Sequence, residues 1–255
     1  MWAHGEERVF TVSGVDLRVT GGTWPFADRH RSEIEVHWAR RVRETPGFFN
    51  GAVFVVTSCT VSAGGRLSAQ FVRTDFKSFL YWRETGFRDE SVLDGFGSAL
   101  ILSADGEVLL GRQRAGNLNS GLCYPPSGFI DAADVREDGA IDIDASVARE
   151  VAEETGLAPP AVARGEGYIV TRAGPVLSIA VPFLSPLPGP ALLHAARRHI
   201  ASDSESELAD LRLVTPGDAP AGLPMLDYAR VLLAGLPRLE IPVLRHPRRL
   251  ERGGG

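Results

Sequence analysis

Arg149-Glu150-Val151-Ala152-Glu153-Glu154-Thr155-Gly156-Leu157 decides how the rest of the 255-residue chain is read. The pattern predicts a helix from about Ala145 to Thr155, with Asp144 as its N-cap and Gly156 as its stop. Glu150, Glu153 and Glu154 stand at i, i+3 and i+4 and share one face. Val147, Ala148, Val151, Ala152 and Thr155 form another face, suited to packing on a sheet. Like charges so spaced destabilise a helix unless something positive sits among them, and a hard divalent cation with oxygen ligands is the natural occupant. Arg149, just off the stripe, is placed to orient one carboxylate. An arbitrary Glu-x-x-Glu-Glu is more often a solvated acidic face. Here the glycine-marked loop Pro125-Pro126-Ser127-Gly128-Phe129-Ile130-Asp131 precedes the helix and offers backbone that a metal and a diphosphate can approach closely.

Around this helix the pattern predicts strands at Ser98–Leu102 and Val108–Gly111, joined at Ala104-Asp105-Gly106, and at Tyr168–Thr171 and Val176–Phe183. Helices are expected near Leu192–Ile200 and Pro224–Leu236. The first part reads as a strand at Val9–Val19 and a helix at Arg29–Glu44 stopped by Pro46. A hairpin of Ala52–Thr57 with Leu67–Val72 and a short helix at Lys77–Glu84 follow. Strands and helices alternate without a regular βαβ rhythm, so a mixed α/β sandwich is expected. The division is residues 1–95 as an N-terminal α+β region, 96–238 as the main domain and 239–255 as a basic tail.

The charge balance, 27 Lys and Arg against 32 Asp and Glu, gives −5 and does not suit a nucleic-acid partner. No apolar run spans a bilayer and the N-terminus lacks a signal-peptide core, so a cytoplasmic protein is expected, with Cys59 and Cys123 as reduced thiols. His194 and His199, five apart, miss the spacing of paired helical ligands and read as surface residues.

Residues 149–157 resemble the second half of the Nudix box, G-x5-E-x7-R-E-U-x-E-E-x-G-U, with U aliphatic. Every fixed position of that half is matched. The first half departs: from Gly128, Arg149 is 21 positions on rather than 14. That places an insertion of seven within Ala132–Gly139, and Ile141 where the first glutamate is usual, with Asp142 or Asp144 as stand-ins. The resemblance implies an α/β/α sandwich around a mixed sheet, an N-terminal α+β extension and hydrolysis of a nucleoside diphosphate linked to another moiety. It further implies Mg²⁺ or Mn²⁺ held by Glu150, Glu153, Glu154 and the Gly128 carbonyl. Arg149 orients a carboxylate, and a base comes from Glu150, Glu154 or the loop acid Glu207. Arg112, Arg114 and Tyr124 are candidates for touching substrate, and a homodimer is a family habit.

Trp38–Gly51 and Thr74–Phe79 are similar to the N-terminal region of a Nudix subgroup that hydrolyses UDP-glucose and UDP-galactose. A nucleotide sugar is therefore the leading substrate. The plain alternative makes Trp38, Phe48 and Phe49 core and Thr74 a helix cap. A non-catalytic nucleotide sensor and a housecleaning pyrophosphatase for ADP-ribose or other diphosphates are the competing functions.

Overall fold

The computed structural model describes residues 5–218 and 222–239. The expected basic tail, from 240 on, and residues 1–4 lie outside them. The elements are β1 (Glu7–Val12), β2 (Gly14–Val19), α1 (Pro25–Arg29), α2 (Arg31–Glu44), β3 (Ala52–Val61), β4 (Arg66–Asp75) and α3 (Phe76–Glu84). They continue with β5 (Asp94–Leu102), β6 (Val108–Gln113), β7 (Cys123–Tyr124), β8 (Ser127–Gly128), α4 (Ile143–Thr155) and β9 (Ala163–Arg164). The last are β10 (Tyr168–Ala173), β11 (Val176–Leu184), α5 (Gly189–Ser202), β12 (Leu208–Val214) and α6 (Asp227–Gly235).

The main sheet runs β1-β10-β11-β5-β6-β12. It is mixed: β5 and β11 are parallel, and the other neighbours on that path are antiparallel. Alternation along β5 and β6 fixes its two faces. Ala99, Ile101 and Leu109 pack with Val147 and Val151 of α4 and Leu192 and Ala196 of α5. Leu100, Leu102 and Leu110 pack with Leu232 and Leu233 of α6. Helices thus cover both faces, giving the α/β/α sandwich. A second sheet, β2-β4-β3, adds Leu17, Phe54 and Phe71 to the first of these cores.

Val9–Val19, expected as one strand, is two strands in different sheets. The chain turns at Ser13, whose N–H and hydroxyl are taken by the Gly65 and Gly64 carbonyls. β1 pairs with β10, and β2 lies parallel to β4. The first 95 residues therefore supply a strand to the main sheet. The helix expected at Arg29–Glu44 is divided between α1 and α2 at His30. α2 ends before Thr45, which leaves the helical conformation at φ −136° and ψ 82°, as the following Pro46 favours. Asp75, not Thr74, caps α3, accepting from the Ser78 N–H. Phe49 is not core: it is 81% exposed.

Candidate active site

Val147, Ile143 and Val151 are buried on α4 because that helix lies tight against β5. A Cβ on Gly97 would meet Val147 Cγ2 at 2.5 Å, so glycine permits this approach. Asp142 caps the helix by accepting from the Ala145 N–H, and Gly156 ends it in the left-handed conformation at φ 65°. Asp144, the expected cap, instead pairs with Arg164 and accepts from the Tyr168 hydroxyl.

Seating the apolar face turns Glu150 and Glu154 towards β8. The Glu150 carboxylate lies over Gly128 so closely that a Cβ there would stand 2.5 Å from its carboxyl carbon. Glu154 is buried beside Ser127, and its Oε2 is buried with no hydrogen-bond partner. The Glu153 side chain is 61% exposed and stays at the rim, 3.7 Å from Arg149 Nη1. Burial raises Glu150 to about 7, with Arg149 pulling against it and Glu153, Glu207 and Asp134 adding to the rise. Burial, then Glu150 and Glu207, raises Glu154 well above the usual range.

Glu207 faces the same pair, since it adds to the upward pressure on both. Its carboxylate accepts from Gln113 Nε2 at 3.3 Å, and Gln113 Oε1 accepts from the Tyr124 hydroxyl. Glu150, Glu207, Gln113 and Tyr124 line one cavity of about 600 Å³. Its opposite wall comes from the N-terminal part: Phe48, Phe49, Phe76, Phe87 and Arg83. Arg112 and Arg114 are not among its lining residues. Arg112 is exposed on β6, and Arg114 donates to the Ser204 carbonyl at 2.8 Å. His199 Nε2 donates to the Glu153 carbonyl at 2.9 Å, holding α5 against the end of α4.

Arg149 is the hub of the outer network. It donates to Glu150 Oε1 at 3.0 Å and to Asp134 Oδ1 at 2.9 Å. Asp134, a residue the sequence reading passed over, is buried and also accepts from Ser146 Oγ at 2.9 Å. It stands six positions after Gly128, the spacing of the family's first glutamate. The inserted residues therefore follow it. They form a small hairpin closed by the Val135–Ile141 bridge. Neither expected stand-in fills that place: Asp142 is the cap and pairs with Arg136, and Asp144 faces Arg164. Ile141 is buried in the core. The signal that would have found Asp134 was the count forward from Gly128 rather than back from Arg149. Asp94 and Arg83 carried no such signal, because only the tertiary fold brings them to the cavity.

The chemistry of the donors suits a divalent cation: an orphaned buried carboxylate oxygen, a second carboxylate over a glycine, and acids that burden one another. Among the described residues, no three Asp, Glu, His or Cys side chains are already gathered into a metal cage. Among the described residues no helix is long and apolar enough to cross a membrane.

No protein-family model and no curated protein matches the chain. Solved structures do. A Nudix hydrolase from M. smegmatis, RenU, is 18% identical with a TM-score of 0.40, over 57% of this chain and 84% of that one. The Nudix domain of Shewanella oneidensis NrtR, solved with ADP ribose, is 16% identical with a TM-score of 0.34, over 57% and 88%. The MutT protein from Methanosarcina mazei Go1 is 22% identical with a TM-score of 0.36, over 57% and 94%. These structural neighbours all carry a Nudix or MutT name.

Proposed function

We propose that the chain is a metal-dependent Nudix pyrophosphohydrolase that cleaves the diphosphate of a nucleoside diphosphate linked to another moiety. The observation that carries this reading is the meeting of Glu150, seated over Gly128, with Glu207 at one cavity, with the buried Glu154 behind them close enough to feel both charges. Glu150 and Glu154 would hold Mg²⁺ or Mn²⁺, with Glu153 and the Gly128 carbonyl completing the set. Bound there, the cation would offset the diphosphate charge and acidify a water.

The chain's own residues do the rest. Arg149 fixes the Glu150 carboxylate by a charge-assisted bond and is itself fixed by Asp134. Glu207, held by Gln113, takes the proton as water attacks phosphorus in line. One water O–P bond forms, one bridging P–O bond breaks, and the leaving phosphate departs as the anion. Tyr124, tied to Gln113, forms part of the cavity wall.

A nucleotide sugar such as UDP-glucose, giving UMP and glucose 1-phosphate, is the leading substrate. Its support is the N-terminal stretch at Trp38–Gly51, part of which lines the cavity, and a volume of about 600 Å³ within the range of small-molecule sites. Residues 1–95 then serve specificity. The test is incubation with Mg²⁺ or Mn²⁺ and UDP-sugars, ADP-ribose and other diphosphates, read by mass spectrometry. UMP release that stops with chelator supports the reading. Turnover of ADP-ribose alone keeps the chemistry and discards the sugar. A second reading, a non-catalytic nucleotide sensor, is favoured by the outward Glu153. Ligand-induced stabilisation without any turnover would decide for it.

A further inference from the structure

Arg83 is the sole Lys, Arg or His among the described residues that line the cavity, which also presents Asp94, Glu150, Glu207 and Asp227. It belongs to α3, far in sequence from the box, and it is carried on a rigid support. Phe79, Leu80 and Trp82 of the same helix are buried, and the Trp82 Nε1–H donates to the Asp89 carbonyl at 3.0 Å. Its guanidinium donates to Asn119 Oδ1 at 2.6 Å. Among the described residues no ion pair within 4.0 Å occupies it. A guanidinium has five N–H donors in a planar fork, so one bond leaves most of that fork for a ligand. A cavity whose other charged lining residues are all acids repels an anionic substrate, and a preorganised arginine facing it offsets that repulsion.

We propose that Arg83 is a substrate-binding residue that clamps a phosphoryl group of the diphosphate, so that the N-terminal segment completes the site. Asn119 is its positioning residue, holding the fork towards the cavity. This rests on the hydrolase reading for the identity of the substrate, but its test does not rest on turnover. Binding of inorganic pyrophosphate is measured by titration calorimetry, with and without Mg²⁺, on wild type, Arg83→Gln, Arg83→Lys and Asn119→Ala. Wild type is expected to bind, and Arg83→Gln to lose about tenfold or more, the size of a charged hydrogen bond. Arg83→Lys, which keeps the charge but not the fork, falls between. With UDP-glucose, KM rises by a similar factor while kcat changes little.

Equal pyrophosphate affinity in wild type and Arg83→Gln overturns the proposal. A loss confined to UDP-glucose also overturns it and moves Arg83 to the sugar or base. So does a wild type that binds pyrophosphate under neither condition. Arg83-dependent pyrophosphate binding without hydrolysis of any diphosphate sinks the hydrolase reading and leaves Arg83 in its role. Should Arg83→Gln fail to fold, Arg83→Lys and Asn119→Ala carry the comparison.

Discussion

Arg149 bridges Asp134 and Glu150: its Nη2 lies 2.9 Å from Asp134 Oδ1 and its Nη1 3.0 Å from Glu150 Oε1. Asp134 is the anchor, because it is buried and also accepts from Ser146 and from the Asp131 N–H. Replacing it by alanine strands three donors at once. Stability is expected to fall by about 2–3 kcal/mol, seen as a melting temperature lower by roughly 5–10 °C. With Arg149 released, kcat is expected to drop by about 10- to 100-fold, as when an outer partner of a metal ligand is lost. Thermal melts and initial rates check both. A wild-type rate in a destabilised protein would confine Asp134 to folding.

Gly128 and Gly97 separate chemistry from packing. Alanine at 128 places its Cβ against the Glu150 carboxylate, the movable end of a side chain. The protein is expected to stay folded while turnover falls. Alanine at 97 strikes Val147 Cγ2 at 2.5 Å and Ile143 Cδ1 at 2.7 Å, both fixed in the core. It should cost about 1–3 kcal/mol with a smaller loss of activity per folded molecule. Denaturant titration beside rate measurement tests the contrast, and a reversal of the two effects refutes it.

The central helix and its flanking strands were legible because their signals are local. The i, i+3, i+4 carboxylates and the apolar face of α4 need no partner to be read, and the runs at 98–102 and 176–183 announce buried strands. Sheet membership is not local. β1 and β2 alternate alike, and only pairing with Tyr168–Ala173 and with Arg66–Asp75 assigns them to different sheets. Asp134 was hidden by an insertion folded back on itself, and Arg83 by its position on a helix of the first part. Glu150, Glu154 and Glu207 were all named from sequence, yet the outward turn of Glu153 follows from the helix docking angle, which the sequence does not display.

Metal binding should register as stability. A ligand at 100 times its dissociation constant stabilises the folded state by about 2.7 kcal/mol. Saturating Mg²⁺ or Mn²⁺ is thus expected to raise the melting temperature by roughly 5–10 °C. The Glu150→Gln, Glu154→Gln double variant should lose that rise along with turnover. If it melts higher with metal to the same extent as wild type, the cation sits elsewhere.

Asp94 makes the stability of the fold depend on pH. Its carboxyl is buried, which raises it to about 6 from 3.8 against a smaller opposing pull from Arg83. The folded state therefore prefers the neutral acid, while the unfolded chain ionises nearer 4. The resulting stability is complete below about pH 4 and is lost as pH rises through about 6. A shift of this size corresponds to a loss of about 3 kcal/mol, an upper figure. Asp94→Asn removes the ionisation while keeping the shape. Relative to wild type, the variant is expected to gain stability as pH rises from about 4, most steeply near pH 5, and to level off above about pH 7. Urea unfolding at several pH values measures the difference, and parallel curves for the two proteins would show that the buried carboxyl is neutralised by a neighbour rather than by protonation.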